Sequence, residues 1–84
     1  MVDKVNYGEI ILAPGASTTW WHTWTHINTD RWVWFSAVAV SDNGSVEITR
    51  QWSEKTLKGF NQVWCTFKNI GTTPVRFVRY AVSI

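Results

Sequence analysis

The residues with the most chemical potential lie close together. Between Thr18 and His26 the chain reads TTWWHTWTH, three tryptophans and two histidines without a charged residue. Extending to Asn28, the even positions carry Trp20, His22, Trp24, His26 and Asn28. The odd positions carry Thr19, Trp21, Thr23, Thr25 and Ile27. The threonines and tryptophans favour a strand, on which a period of two separates these sets onto opposite faces.

A strand disfavours a metal site here. His22 and His26 would stand about 13 Å apart at roughly 3.3 Å per residue, whereas one zinc needs both nitrogens at about 2.0–2.1 Å. Catalysis also lacks its parts. The acids Asp3, Glu9, Asp30, Asp42, Glu47 and Glu54 form no motif with a histidine or serine, and a histidine base needs an orienting partner and a nucleophile. There is no phosphate-binding glycine loop. Cys65 alternates with Val63 and Phe67, which reads as packing rather than a nucleophile. No cofactor is implied, and the chain is expected not to be an enzyme.

Two readings remain for the even face. Buried imidazoles need hydrogen-bond partners or they destabilise the fold. The expectation is therefore that the even face points outward, with Trp21 and Ile27 inward. Such a ridge suits carbohydrate: Trp20 and Trp24 would stack on a sugar ring, and His22, His26 and Asn28 would meet its hydroxyls. Trp64 lies on the polar face of its own segment, with Gln62 and Thr66, and could add to that surface. The alternative is a structural or protein-interaction domain whose tryptophans build core and subunit interface.

The surrounding sequence must hold this ridge in place. The chain has 84 residues, which suits one domain over 1–84. A domain this small buries only roughly 60–65% of its unfolded surface. With one cysteine there is no disulfide to help it. Large core side chains or self-association are the available devices. Seven Trp, four Phe and two Tyr supply the first, and a small core cannot enclose every indole.

Eight basic residues against six acids give a net charge of +2, without any basic run. Nucleic acid, which usually demands a dense basic patch, is disfavoured. No apolar stretch is long enough to span a membrane. The N-terminus does not resemble a secretory leader, which suggests a cytoplasmic or non-classically exported protein. The sequon Asn43-Gly44-Ser45 reads as a turn rather than a glycosylation site.

Turn signals at Pro14-Gly15, Asn28–Asp30, Ser41–Gly44, Lys55–Gly59 and Gly71–Pro74 divide the chain into about six segments. Their spacing predicts an all-β antiparallel sandwich. Val63, Cys65 and Phe67 oppose Gln62, Trp64, Thr66 and Lys68, and Val46 and Ile48 oppose Ser45, Glu47 and Thr49. The Asp42-Asn43-Gly44 turn predicts a hairpin between the third and fourth segments. The stretch FKNIGTTPVRFVRYAVSI reads as a closing hairpin. In the third segment, Trp32, Trp34, Val38 and Val40 face one way and Val33, Phe35, Ala37 and Ala39 the other. Two apolar faces predict burial on both sides. A sandwich covers only one, so this strand points to a homo-oligomer, in which several weak sugar sites could act together.

Overall fold

The computed structural model describes residues 3–24, 33–59 and 61–83. They form strands β1 (Asp3–Leu12), β2 (Ser17–Trp24), β3 (Val33–Ala39), β4 (Val46–Lys55), β5 (Asn61–Asn69) and β6 (Val75–Ser83). Two three-stranded sheets, ordered β1-β6-β3 and β2-β5-β4, pack face to face, and every pairing is antiparallel. The all-β sandwich predicted from turn spacing is the observed architecture. None of its helices could cross a membrane, because the described residues contain no helix.

Alternation explains the core. In β5, Val63, Cys65, Phe67 and Asn69 are buried; in β6, Val75, Phe77, Arg79, Ala81 and Ser83 are. These central strands face each other, and Phe35 of β3 completes the centre. Phe67 meets Phe35 edge-on at 6.0 Å and Phe77 at 5.4 Å between ring centroids. Val46 and Ile48 of β4 pack against this cluster, as their alternation predicts.

The expected hairpin between the third and fourth segments does not form. β3 pairs with β6, and β4 pairs with β5. A tight turn is present, closed by Gly44 N–H donating to the Ser41 carbonyl at 3.1 Å. However, only Asn43 of its two central residues has a positive φ, 58°, whereas the type I′ hairpin turn requires both. The chain therefore crosses to the other sheet. Gly44 is required by space: a Cβ there would lie 2.6 Å from both Ser41 Oγ and Val75 Cγ2.

The closing hairpin is likewise replaced by a crossing, since β5 and β6 belong to different sheets. Buried Asn69 fixes this corner. Its Nδ2 donates to the carbonyls of Leu12 at 3.0 Å and Thr73 at 2.8 Å, and its Oδ1 accepts from Gly71 N–H at 2.8 Å. These bonds satisfy carbonyls that a hairpin ladder would otherwise have to pair. β4 and β5 are the consecutive strands that do pair, through the Thr56–Gly59 turn.

β3 is not buried on both faces within the chain. Phe35 is buried, and Val33 and Ala37 pack inward. On the opposite face Val38 and Val40 are 48% and 47% exposed. Trp32 lies outside the described residues.

Candidate functional site

Two irregularities decide where the aromatic side chains go. β1 bulges between Asn6 and Glu9. Gly8 there has a φ of 86°, and its N–H is held by Asn6 Oδ1 at 2.7 Å. An extra residue in one strand reverses the facing beyond it. Thus Val5 faces Ala81 before the bulge, whereas Ile10 faces Phe77 after it. β4 bulges between Ile48 and Arg50. Ile48 lies beside buried Phe67, but Arg50, Trp52 and Glu54 lie beside Thr66, Trp64 and Gln62, on the outward face of β5.

The facing of β2 is the reverse of the sequence expectation. Trp20 lies beside Cys65 and His22 beside Val63, both of which are buried. Trp20 packs against the core, while Trp21 is 43% exposed. The cost of an inward imidazole, which favoured the opposite facing, is met by Tyr7, delivered by the β1 bulge. The Tyr7 hydroxyl hydrogen-bonds His22 Nδ1. Tyr7 also meets Trp20 edge-on at 6.0 Å. Burial lowers the His22 pKa and raises that of Tyr7, so both stay neutral near neutral pH.

Arg79 enters the same interior cluster from β6 and is 8% exposed. Its guanidinium sits 4.6 Å from the Trp20 ring centroid and donates from Nη2 to the Tyr7 carbonyl at 2.8 Å. A cation over an indole is attracted by the ring quadrupole, which partly offsets the loss of water. Burial lowers its pKa.

The outward face of β2-β5-β4 is where the tryptophans reach solvent. Register places them in one row: Trp21 beside Trp64, and Trp64 beside Trp52. Trp21 and Trp64 stack with centroids 5.4 Å apart and planes 30° from parallel. Trp64 and Trp52 stack at 5.9 Å and 8°. The Arg50 guanidinium caps the Trp52 end at 4.5 Å, and Trp52 Nε1 donates to Glu54 Oε1 at 3.1 Å.

Rows of hydrogen-bonding groups flank the indoles. On one side Thr19, Thr66 and Arg50 stand abreast, with the two threonine hydroxyls bonded at 3.0 Å. On the other side stand Thr23, Gln62 and Glu54, with Gln62 Nε2 donating to Thr23 Oγ1 at 3.2 Å. The result is an aromatic strip between two polar margins, with one positive and one negative side chain.

Of the six residues singled out from sequence, Trp64 lies in this strip. Trp20 and His22 lie on the inward face, beneath it. Trp24 pairs through its backbone with Asn61, but its side chain, like His26 and Asn28, lies outside the described residues. Sequence reasoning missed Trp21 and Trp52. Trp21 depended on its register with Trp64, and Trp52 on the bulge, neither of which local pattern encodes. No three metal-ligating side chains cluster among the described residues. Comparison with known protein families, with curated proteins and with solved structures gave no match to this chain.

Proposed function

We propose that this chain is a non-catalytic, lectin-like module that binds carbohydrate on the outward face of β2-β5-β4 and displays it in more than one copy. The observation that carries this reading is the Trp21–Trp64–Trp52 row between two polar margins. A sugar has an apolar C–H face and a rim of hydroxyls. An indole supplies a broad apolar surface for the first, and a few well-placed polar groups orient the second. Trp21, 43% exposed, offers the most open ring of the row. Thr19, Thr23 and Gln62 stand one row away on either side. Trp20 and His22 support Trp21 from the interior and do not touch ligand.

Charge narrows the ligand class. Arg50 and Glu54 oppose each other across Trp52, which favours neutral glycans over polyanions. Binding should therefore depend weakly on salt, unlike polyanion binding driven by counterion release.

The test is a glycan array probed with wild type, Trp21→Ala and Arg79→Met. Sugar-competable retention that Trp21→Ala abolishes while the fold persists, with melting lowered by no more than about 4–8 °C, supports the platform. Retention should survive Arg79→Met, which alters only the interior. If wild type shows no sugar-competable retention, the row is a stabilising aromatic ladder and the interaction-domain reading takes its place.

A further inference from the structure

We propose that the outward face of β1-β6-β3 is a self-association surface, on which a second copy of this chain packs about a two-fold axis passing beside Tyr80. The proposal rests on the assembly part of the functional reading and is independent of the sugar.

The face leaves large apolar side chains open to solvent. Ile11 is 64% exposed, Val38 48% and Val40 47%. Val78 and Val82 lie between β1 and Val38 or Trp34 on the same side of the sheet. Exposed apolar surface of this extent marks an interaction site in a soluble protein. Its charged groups are Lys4 and Glu9 on β1 at the margin and Arg76 of the central strand β6, which lies between Ile11 and Val40 and reaches Glu9 at 3.5 Å.

Charge selects a second copy as the occupant and also selects its register. Lys4 stands beside Val82 and Trp34 in one row. Glu9 stands beside Val78 and Val38 two rows on. Asn6, Tyr80 and Ser36 form the row midway between them. A two-fold axis along this middle row, perpendicular to the strands, lays β1 over the partner's β1 with reversed direction. Lys4 of each copy then meets Glu9 of the other, and the Val82 and Trp34 row lies on the Val78 and Val38 row. An axis one row further sets Glu9 against Glu9. An axis parallel to the strands sets both charges against the apolar β3 margin, where desolvation is uncompensated. Only the first arrangement pairs Lys4 with Glu9 across the contact and lays the two apolar rows on one another, with the Ile11, Arg76 and Val40 row at its edge.

The area fits a modest dimer. Three rows about 7 Å apart on three strands about 4.8 Å apart define roughly 300 Å² per copy before side-chain relief is added. Both copies together bury about 700 Å², below the size of stable specific interfaces and in the range of weak, transient ones. Assembly should therefore depend on concentration. It would also leave the two tryptophan rows facing in opposite directions, so the dimer cross-links glycans instead of gripping one surface twice.

Sedimentation velocity over a concentration series tests the proposal, with thermal melting run alongside. Wild type should shift from monomer to twice the chain mass as concentration rises. Val38→Lys should remain monomeric at every concentration with little change in melting. Lys4→Glu and Glu9→Lys should each weaken dimerisation, and the double swap should restore it. A wild type that stays monomeric overturns the proposal. So does a dimer indifferent to Val38→Lys, or one in which the double swap fails to rescue the single changes. Trp21→Ala separates the two readings: it should lose glycan retention and keep the dimer.

Discussion

Trp52 stacks on Trp64 with planes 8° from parallel, and one extra residue in β4 brings the two rings to the same face. Thr49 falls between the paired residues Ile48 and Arg50. Were Thr49 paired in regular alternation instead of bulged out, the periodicity that turns Ile48 inward would turn Trp52 away from Trp64. The aromatic row therefore depends on an irregularity of the backbone as well as on its tryptophans.

Deleting Thr49 will straighten β4 and keep the row, because Arg50 then follows Ile48 directly and still falls beside Thr66. The variant should retain the near-ultraviolet circular dichroism of coupled indoles, whereas deleting both Thr49 and Arg50 should abolish it and lower the melting temperature well below wild type, because Trp52 would then fall beside Cys65 at the filled core. Loss of the spectrum on deleting Thr49 alone would show that register does not govern the stacking.

The three indoles of the row should differ in cost. Trp64 stacks on two neighbours, each aromatic pair contributing about 0.5–1.5 kcal/mol beyond burial. Trp64→Ala should cost about 3 kcal/mol. Trp21 has one ring of the row beside it and is more exposed, so Trp21→Ala should cost about 1 kcal/mol. Urea unfolding measures both. Equal costs would mean that the row does not act as a ladder centred on Trp64.

Acid should weaken the fold through His22. Burial holds its pKa below the ordinary 6.5, so the unfolded chain takes up a proton at a pH where the folded chain stays neutral. The stabilisation is complete above about pH 6.5 and declines as pH falls below it, toward the lowered folded value. His22→Gln keeps a polar partner for Tyr7 and removes the titration. Its melting temperature should fall less than that of wild type between about pH 7 and pH 5. Identical slopes would assign the acid sensitivity to other groups.

Cys65 should be inert while the protein is folded. It is fully buried, and burial pushes its thiol from 9.0 up to about 12. The neutral thiol therefore stabilises the fold below pH 9.0, and that contribution is lost as pH rises from there toward 12. A thiol reagent should label Cys65 only when denaturant is added. Cys65→Ser, which buries a hydroxyl in an apolar site, should cost about 1–3 kcal/mol. Rapid labelling of the native protein would contradict this burial.

Local pattern revealed much of the fold because strand alternation is a local property. Val63, Cys65 and Phe67 could face only the core once their neighbours were Gln62, Trp64, Thr66 and Lys68. The exposed face of β3 was legible as surplus apolar surface, although the chain itself leaves Val38 and Val40 open. Turn residues marked where strands end, but a tight turn does not specify its partner strand. Asp42 and Asn43 are the central residues of a turn that crosses between sheets, and only Asn43 adopts a positive φ.

By itself, then, the sequence determined an all-β sandwich with the observed core face of β5 and of the start of β4, and a supply of indoles too large for its interior. Tertiary structure decided which indoles reach solvent. On β2 both faces carry tryptophan, so hydrophobicity alone could not orient the strand. Tyr7, distant in sequence, supplied the hydrogen bond that lets His22 turn inward and sends Trp21 out. On β4 an added residue reversed the alternation, a shift visible only once β5 fixes the register. Both decisions arise from pairing between distant segments, which local periodicity does not encode.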